Sequence, residues 1–199
     1  MSANILDIVL PVGLGYLLGS IPSGLLLAKL FGWPDPRAYG SGHIGARNAG
    51  RGAGKFAFVL VLIADLGKGA AAVLLSDAVS ASEWAVVIGG TAAVIGHNWP
   101  VWLNFSGGMG LATAAGVALV RVWPLLAVML VLLAVIRFVF IKHTPRATIA
   151  TCLLVTPIAW LVFRYTGPDL WLAILISLLL AYRHLIDWNR VYENEGLLR

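Results

Sequence analysis

Phe56-Ala-Phe-Val-Leu-Val-Leu-Ile-Ala-Asp65-Leu-Gly-Lys68-Gly-Ala-Ala-Ala-Val-Leu-Leu-Ser76 is an apolar run interrupted by only two charges. About 20 such residues suffice to cross a bilayer as a helix. A membrane β-strand would alternate between apolar and polar residues, and this run does not. A charge at mid-membrane costs several kcal/mol unless it is paired. Asp65 and Lys68 stand at i, i+3, where one helix face brings them together. Two readings follow: a structural ion pair between helices, or a polar member near an active site.

The rest of the chain repeats this pattern. Of 199 residues, 60% are hydrophobic and 12% charged, and the mean hydropathy is +0.89. A soluble domain is nearer half apolar and a quarter charged. Soluble enzymes, disordered tails and coiled coils are thereby excluded. Long apolar runs predict further spans over about Ile5–Phe31, Trp84–Ile95, Gly110–Val120, Trp123–Ile141, Ile149–Tyr165 and Leu170–Tyr182. The expectation is an all-α integral membrane protein, a single polytopic domain over residues 1–199 with about seven transmembrane helices. The first run is too long for a signal-peptide core and lacks a basic start, so it reads as a permanent span. Cys152 is the sole cysteine, which excludes a disulfide framework and a cysteine-based zinc site.

With seven spans, Arg37, Arg47, Arg51 and Lys55 share one face with Arg137, Lys142 and Arg146, and with Arg183, Arg190 and Arg199. The other face holds Asp7, Asp77, Glu83, Arg121, Arg164 and Asp169. The positive-inside rule makes the first face cytoplasmic, with the N-terminus outside and the C-terminus inside. His43, His97, His143 and His184 fall on that same face. The Asn104-Phe-Ser106 sequon also falls there, where glycosylation does not occur.

Gly40-Ser-Gly-His-Ile-Gly-Ala-Arg-Asn-Ala-Gly-Arg51 combines glycines with cations and little apolar bulk. Such a loop turns several N–H groups toward an anion, and arginines add bidentate contacts to phosphate. A solvated linker is the competing reading. The embedded G-x-G-x-x-G has no strand before it and no βαβ unit around it, so it is no dinucleotide site. Ser106-Gly-Gly-Met-Gly110, just after Gly96-His-Asn-Trp-Pro100, offers either free N–H groups at a helix start or a tight surface turn. Gly19-Ser-Ile-Pro-Ser-Gly24 interrupts the first span. Gly15 and Gly19 form G-x-x-x-G, which favours close helix packing, and a broken helix lining a cavity is the alternative. In Tyr182-Arg-His-Leu-Ile-Asp-Trp-Asn-Arg190, His184 and Asp187 stand at i, i+3. They read as a general base with its carboxylate, or as part of an interfacial tail anchored by Trp188 and Tyr192.

These segments, in this order, resemble the PlsY-type glycerol-3-phosphate acyltransferases of bacteria. The likeness rests on Gly19–Gly24, Gly40–Asn48, Asp65-Leu-Gly-Lys-Gly69, Gly96-His97, Gly107-Gly-Met-Gly-Leu-Ala-Thr113 and Arg183-His184. It implies a seven-helix enzyme of the bacterial inner membrane with its active site facing the cytoplasm. It implies acyl transfer from acyl phosphate to the 1-hydroxyl of sn-glycerol 3-phosphate, giving lysophosphatidic acid and phosphate. No cofactor, metal, coenzyme A thioester or nucleic acid is implied, and the remaining partner is membrane lipid. By motif, the resemblance makes His184, Asp187 and Asn48 catalytic. It makes Ser41, Gly42, His43, Arg47, Gly107, Gly108, Gly110 and Arg146 the phosphate-binding set.

The chain departs from the family pattern at several positions. Met109 stands where the family usually has lysine, and His43 and Arg47 where it has Asn and Thr. Pro145 and Arg146 replace a Ser-Leu pair, and Asp187 replaces an asparagine. Arg47 and Arg146 offset the lost lysine. The competing function is a non-catalytic paralogue or transporter for phosphorylated metabolites, since broken helices and mid-span charges also serve transport.

Overall fold

The computed structural model describes residues 5–189, so Arg190, Tyr192 and Arg199 lie outside the described residues. The described residues form eight α-helices: α1 (Leu6–Ser20), α2 (Ser23–Phe31), α3 (Ala46–Val79), α4 (Glu83–Asn98), α5 (Leu111–Arg121), α6 (Trp123–Val135), α7 (Thr144–Leu161) and α8 (Gly167–Ile186). A π-helical turn, Ile136–Phe140, prolongs α6.

The first predicted span is two helices. Pro22 cannot continue α1 and biases Ile21 toward extended backbone; Ile21 has ψ 117°. The axis bends by 40° there. The Ile21 carbonyl accepts from Lys68 Nζ at 2.9 Å. Lys68 also pairs with Asp65 at 2.9 Å, so the mid-span charges are tied both to each other and to the break.

α4 is the central strut, with most of its residues buried. α1 packs directly against it: a Cβ on Gly15 would overlap the Gly89 backbone, and one on Gly19 the Ala93 backbone. The close-packing reading of G-x-x-x-G is therefore the geometry found. α3 meets α5 in the same way, through Gly69 on Thr113 and Gly116 on Leu66. Without a hydrophobic drive between helices in lipid, such backbone proximity supplies much of the packing attraction.

α3 begins at Ala46, ten positions before the expected start at Phe56. Hydropathy misses this first segment because Arg47, Asn48 and Arg51 lie in it. Gly54, at φ +83°, kinks the helix and separates this polar piece from the apolar one. α7 likewise starts at Thr144 rather than Ile149, because its first turn carries Pro145 and Arg146. Proline is tolerated there, where the missing N–H has no helical partner in any case.

The helices run between two ends. At one end Arg121 of α5 joins Glu83 of α4 (3.0 Å) and Asp169 of α8 (2.6 Å). At the other the starts of α3, α5 and α7 meet the ends of α4 and α8 around a cavity. The loop leading to α3 is held by Asp35, which accepts from the Arg37 N–H at 2.8 Å and pairs with its guanidinium at 2.7 Å. That guanidinium holds the Asp35 carboxyl below its usual range.

Many large apolar side chains face outward, including Ile63, Val131, Phe138, Leu153 and Val162. An apolar exterior of this extent suits lipid rather than water. By length and composition, α3, α6 with its π turn, and α8 are long and apolar enough to cross a membrane; the bent α1–α2 pair makes a fourth. That count is below the seven expected. α5 has only 11 residues, and α4 and α7 are not among the helices that qualify.

The packing yields a paired prediction. Gly19→Ala drives a methyl into the Ala93 backbone and is expected to cost about 1–3 kcal/mol. Gly13→Ala meets nothing within 4 Å and is expected to gain up to about 1 kcal/mol from helix propensity. Thermal unfolding in detergent reads both; equal melting temperatures for the two variants would refute the close contact.

Candidate active site

The cavity has a volume of about 230 Å³. Its polar wall includes Ser41, His43, Arg47, Asn48, Arg51 and His184; Phe58, Leu62 and Leu111 form an apolar wall. Residues more than a hundred positions apart thus share one space.

The stretch 40–51 is half loop and half helix, not a loop throughout. Gly40 adopts φ +51°, and a Cβ there would overlap the Arg51 guanidinium. Asn48 organises the loop. Its Nδ2 donates to Ser41 Oγ (3.0 Å) and to the His43 carbonyl (2.8 Å). Its Oδ1 accepts from Ser41 N–H (3.4 Å) and Arg51 Nη1 (3.0 Å). An amide makes at most four such bonds. All of Asn48's capacity is therefore engaged within its own segment, which suits holding the loop in shape. Ser41 Oγ accepts from Asn48 and keeps its own O–H to donate.

Arg47 reaches across to α7, donating from Nη1 to Thr144 Oγ1 at 3.0 Å; Arg137 Nε reaches the same oxygen at 3.0 Å. Arg51 lines the cavity too, and its Nε is buried without a hydrogen-bond partner. From sequence alone Arg51 is one cation of the glycine stretch with no assigned role. The signal available was its i+3 spacing from Asn48 and i+4 spacing from Arg47 on one helix.

His184 is 1% exposed. Its Nδ1 lies 2.8 Å from the Leu180 carbonyl, which can only accept, so Nδ1 carries the proton and Nε2 is the basic nitrogen. Asp187 does not pair with His184 as the i, i+3 spacing suggested. α8 ends at Ile186, and the Asp187 carboxylate turns instead to His43 Nε2 at 2.9 Å. Asp65 and His97 also line the cavity; Asp65 Oδ1 is 3.6 Å from His97 Nδ1. Asp65 is thus both half of an ion pair and part of the cavity wall.

Gly107 and Gly108 do not offer N–H groups to an anion. The Gly107 N–H donates to the Asn98 carbonyl (3.2 Å) and the Gly108 N–H to the His97 carbonyl (3.0 Å). A Cβ on either would overlap the end of α4, so these glycines serve close approach. Gly110, at φ +82°, does line the cavity. Beyond it the first N–H groups of α5, at Leu111 and Ala112, have no partner within the helix. Gly42 lies outside the lining, its N–H donating to the Tyr39 carbonyl at 3.0 Å. Arg146 lies outside as well: it is exposed, stacks over Trp188 at 5.1 Å and donates to the Trp188 carbonyl at 3.4 Å.

Residues 9–194 match the family model described as glycerol-3-phosphate acyltransferase. A glycerol-3-phosphate acyltransferase of Synechococcus sp. (strain CC9902) is 37% identical over 188 residues, 94% of this chain and 92% of that one. One of Rubrobacter xylanophilus is 40% identical over 162 residues, 81% of this chain and 78% of that one. Among solved structures, PlsY (YgiH), an integral membrane glycerol 3-phosphate acyltransferase, is similar in its glycerol 3-phosphate form. The TM-score is 0.81 at 33% identity, covering 95% of this chain and 96% of that one. Its lysophosphatidic acid form gives a TM-score of 0.79 at 32% identity, covering 92% of this chain and 90% of that one. With the fold, the cavity and the sequence in agreement over nearly its full length, the chain belongs to the glycerol-3-phosphate acyltransferase family and is a multi-pass integral membrane protein.

Proposed function

We propose that this acyltransferase takes its acyl group from acyl phosphate and delivers it to the 1-hydroxyl of sn-glycerol 3-phosphate. The observation that carries the reading is the joint lining of one cavity by His184, Ser41, Arg47 and Arg51 together with Phe58, Leu62 and Leu111. A cationic wall suits phosphate and an apolar wall suits a fatty chain.

In this reading His184 Nε2 accepts the proton of the attacking hydroxyl. The hydroxyl oxygen bonds to the acyl carbonyl carbon, the bond from that carbon to the phosphate oxygen breaks, and phosphate leaves with its electron pair. Arg47, Arg51, the Ser41 O–H and the N–H groups at the start of α5 hold phosphate oxygens. Because acyl phosphate is already activated, no covalent enzyme intermediate is required. Catalysis is positioning and charge stabilisation in a space poor in water.

The two-ended helix arrangement supports seven passes, with α1–α2 as one broken pass. The basic residues at the cavity end favour a cytoplasmic active site in a bacterial inner membrane, with the N-terminus outside. An impermeant maleimide applied to intact spheroplasts is expected to label Arg164→Cys and not Lys142→Cys, with buried Cys152 silent. The opposite pattern overturns the orientation.

Purified protein is expected to release phosphate from acyl phosphate only when glycerol 3-phosphate is present. His184→Ala is expected to lower kcat by about 10²–10⁴-fold. Met109→Lys adds an ammonium to the cavity wall and is expected to lower the KM for glycerol 3-phosphate, an effect weakened by salt. Turnover by His184→Ala at the wild-type rate would remove the base from the mechanism.

A further inference from the structure

The turn from Gly107 to Gly110 is gripped by its carbonyl oxygens. Arg183 Nε donates to the Gly108 carbonyl at 3.0 Å, and its Nη2 to the Gly107 carbonyl at 3.4 Å. His43 Nδ1 reaches the same Gly107 carbonyl at 3.2 Å, while its Nε2 reaches Asp187 Oδ2 at 2.9 Å. A carbonyl and a carboxylate only accept, so both His43 contacts together require a proton on each ring nitrogen. The group is well shielded: Arg183 is 7% exposed and Asp187 3%. Trp99 lies under the Arg183 guanidinium, 5.9 Å from it. Three elements remote in sequence, the loop before α3, the start of α5 and the end of α8, are thereby joined at one point.

We propose that Arg183 and the His43–Asp187 pair are positioning residues that set the orientation of the glycine turn, and with it the phosphate affinity of the cavity. The N–H groups of Gly107 and Gly108 are held by α4. With their carbonyls held as well, the peptide planes of the turn have one orientation. The next residues, Met109 and Gly110, and the start of α5 line the cavity, and the Gly110 carbonyl is taken up by the Ala114 N–H at 2.8 Å, which leaves the unbonded N–H groups of the α5 start as the backbone donors there. An oxygen dipole turned inward would repel the phosphate that those N–H groups attract. The proposal rests on the function given above for its substrate half only.

Three variants separate the cases. Asp187→Ala removes the partner of His43. Arg183→Lys keeps the charge but not the fork that spans two carbonyls. Asp187→Asn keeps the clasp, since its amide donates to His43 Nε2 while His43 Nδ1 still donates to Gly107. In detergent-purified, folded protein, Asp187→Ala and Arg183→Lys are expected to speed amide hydrogen exchange over residues 107–112, and not around Arg121 at the far end. They are expected to raise the KM for glycerol 3-phosphate about tenfold, with a smaller change in kcat. Asp187→Asn is expected to stay near wild type in both. A variant that is merely partly unfolded lowers kcat and leaves KM unchanged. Unchanged exchange at the turn overturns the clasp, whatever the activity. Faster exchange with unchanged KM overturns its link to phosphate. Impairment of Asp187→Asn equal to that of Asp187→Ala overturns the hydrogen-bond account in favour of the carboxylate charge. A wild-type protein that neither binds nor turns over glycerol 3-phosphate refutes the proposed function, and exchange at the turn then decides the clasp alone.

Discussion

Everything at the cavity depends on α4 touching its neighbours backbone to backbone. Gly89 and Ala93 receive Gly15 and Gly19 with no side chain between them, and Gly96 lies against Tyr16 and Ser20 of the same helix. This contact fixes where α4 ends. Its last carbonyls, from His97 and Asn98, then hold the N–H groups of Gly107 and Gly108. That seat determines where α5 starts, and α5 in turn packs through Gly116 on α3, whose first turns carry Arg47, Asn48 and Arg51. A methyl group at one of these glycines would be felt at the active site, several helices away, because close-packed interiors transmit strain.

The second constraint is the cost of polar groups near lipid. Each must find a partner inside the protein, since hydrocarbon offers none. The broken first span illustrates it: at the break the Ile21 carbonyl leaves the helical ladder, and it accepts from the Ser23 N–H and from Lys68 of α3, which also meets Asp65. The same rule shapes the site. Asn48 is saturated by its own loop, Arg183 is bound to the glycine turn, and the Asp187 carboxylate is matched to an imidazole. Structural polar groups are thus tied to each other. Ser41 keeps a proton to donate, Arg51 keeps a buried nitrogen without a hydrogen-bond partner, and the start of α5 keeps its N–H groups, and all of these residues belong to the cavity lining. The hydrogen bonds already made thus separate groups that hold the site in shape from lining groups whose donors are still open.

Much of this was legible in the sequence, for identifiable reasons. Long apolar runs mark helices, so each predicted span overlaps an observed helix, although fewer than seven of those helices are long and apolar enough by themselves to cross a membrane. Pro22 marks the break, and Gly15 with Gly19 marks a close contact, because both effects are local. The convergence of Ser41, Arg47 and His184 came from the family resemblance and is found in the cavity lining. Other features depend on distance in space that the sequence does not encode. Asp187 sits three positions from His184, yet the helix ends between them and the carboxylate turns to a histidine in a remote loop. Gly107 and Gly108 look like anion-binding glycines, and only the position of α4's last turn reveals that their N–H groups are engaged. Arg146 looks like a replacement cation, and its stacking on Trp188 takes it outside the cavity.

Met109, which the family resemblance marks as a departure from lysine, shares its cavity with cations from another helix. Residue 109 lies at the start of α5, where the helix already presents N–H groups and the positive end of its dipole. Arg47 and Arg51, also in the lining, sit on one short helical segment before the Gly54 kink, and Arg137 joins Arg47 at Thr144. Of the two cations that depart from the family pattern, only Arg47, on α3, lines the cavity, while Met109 gives the α5 side an apolar side chain beside its backbone donors. Arginine suits that place better than lysine would: its weaker hydration lowers the cost of burial, and its planar fork can hold Thr144 or Asn48 through one nitrogen while another faces an anion. In the proposed function, a phosphate in this cavity would draw on donors from α3 and from the start of α5, which is how a chain with methionine at 109 would still hold it.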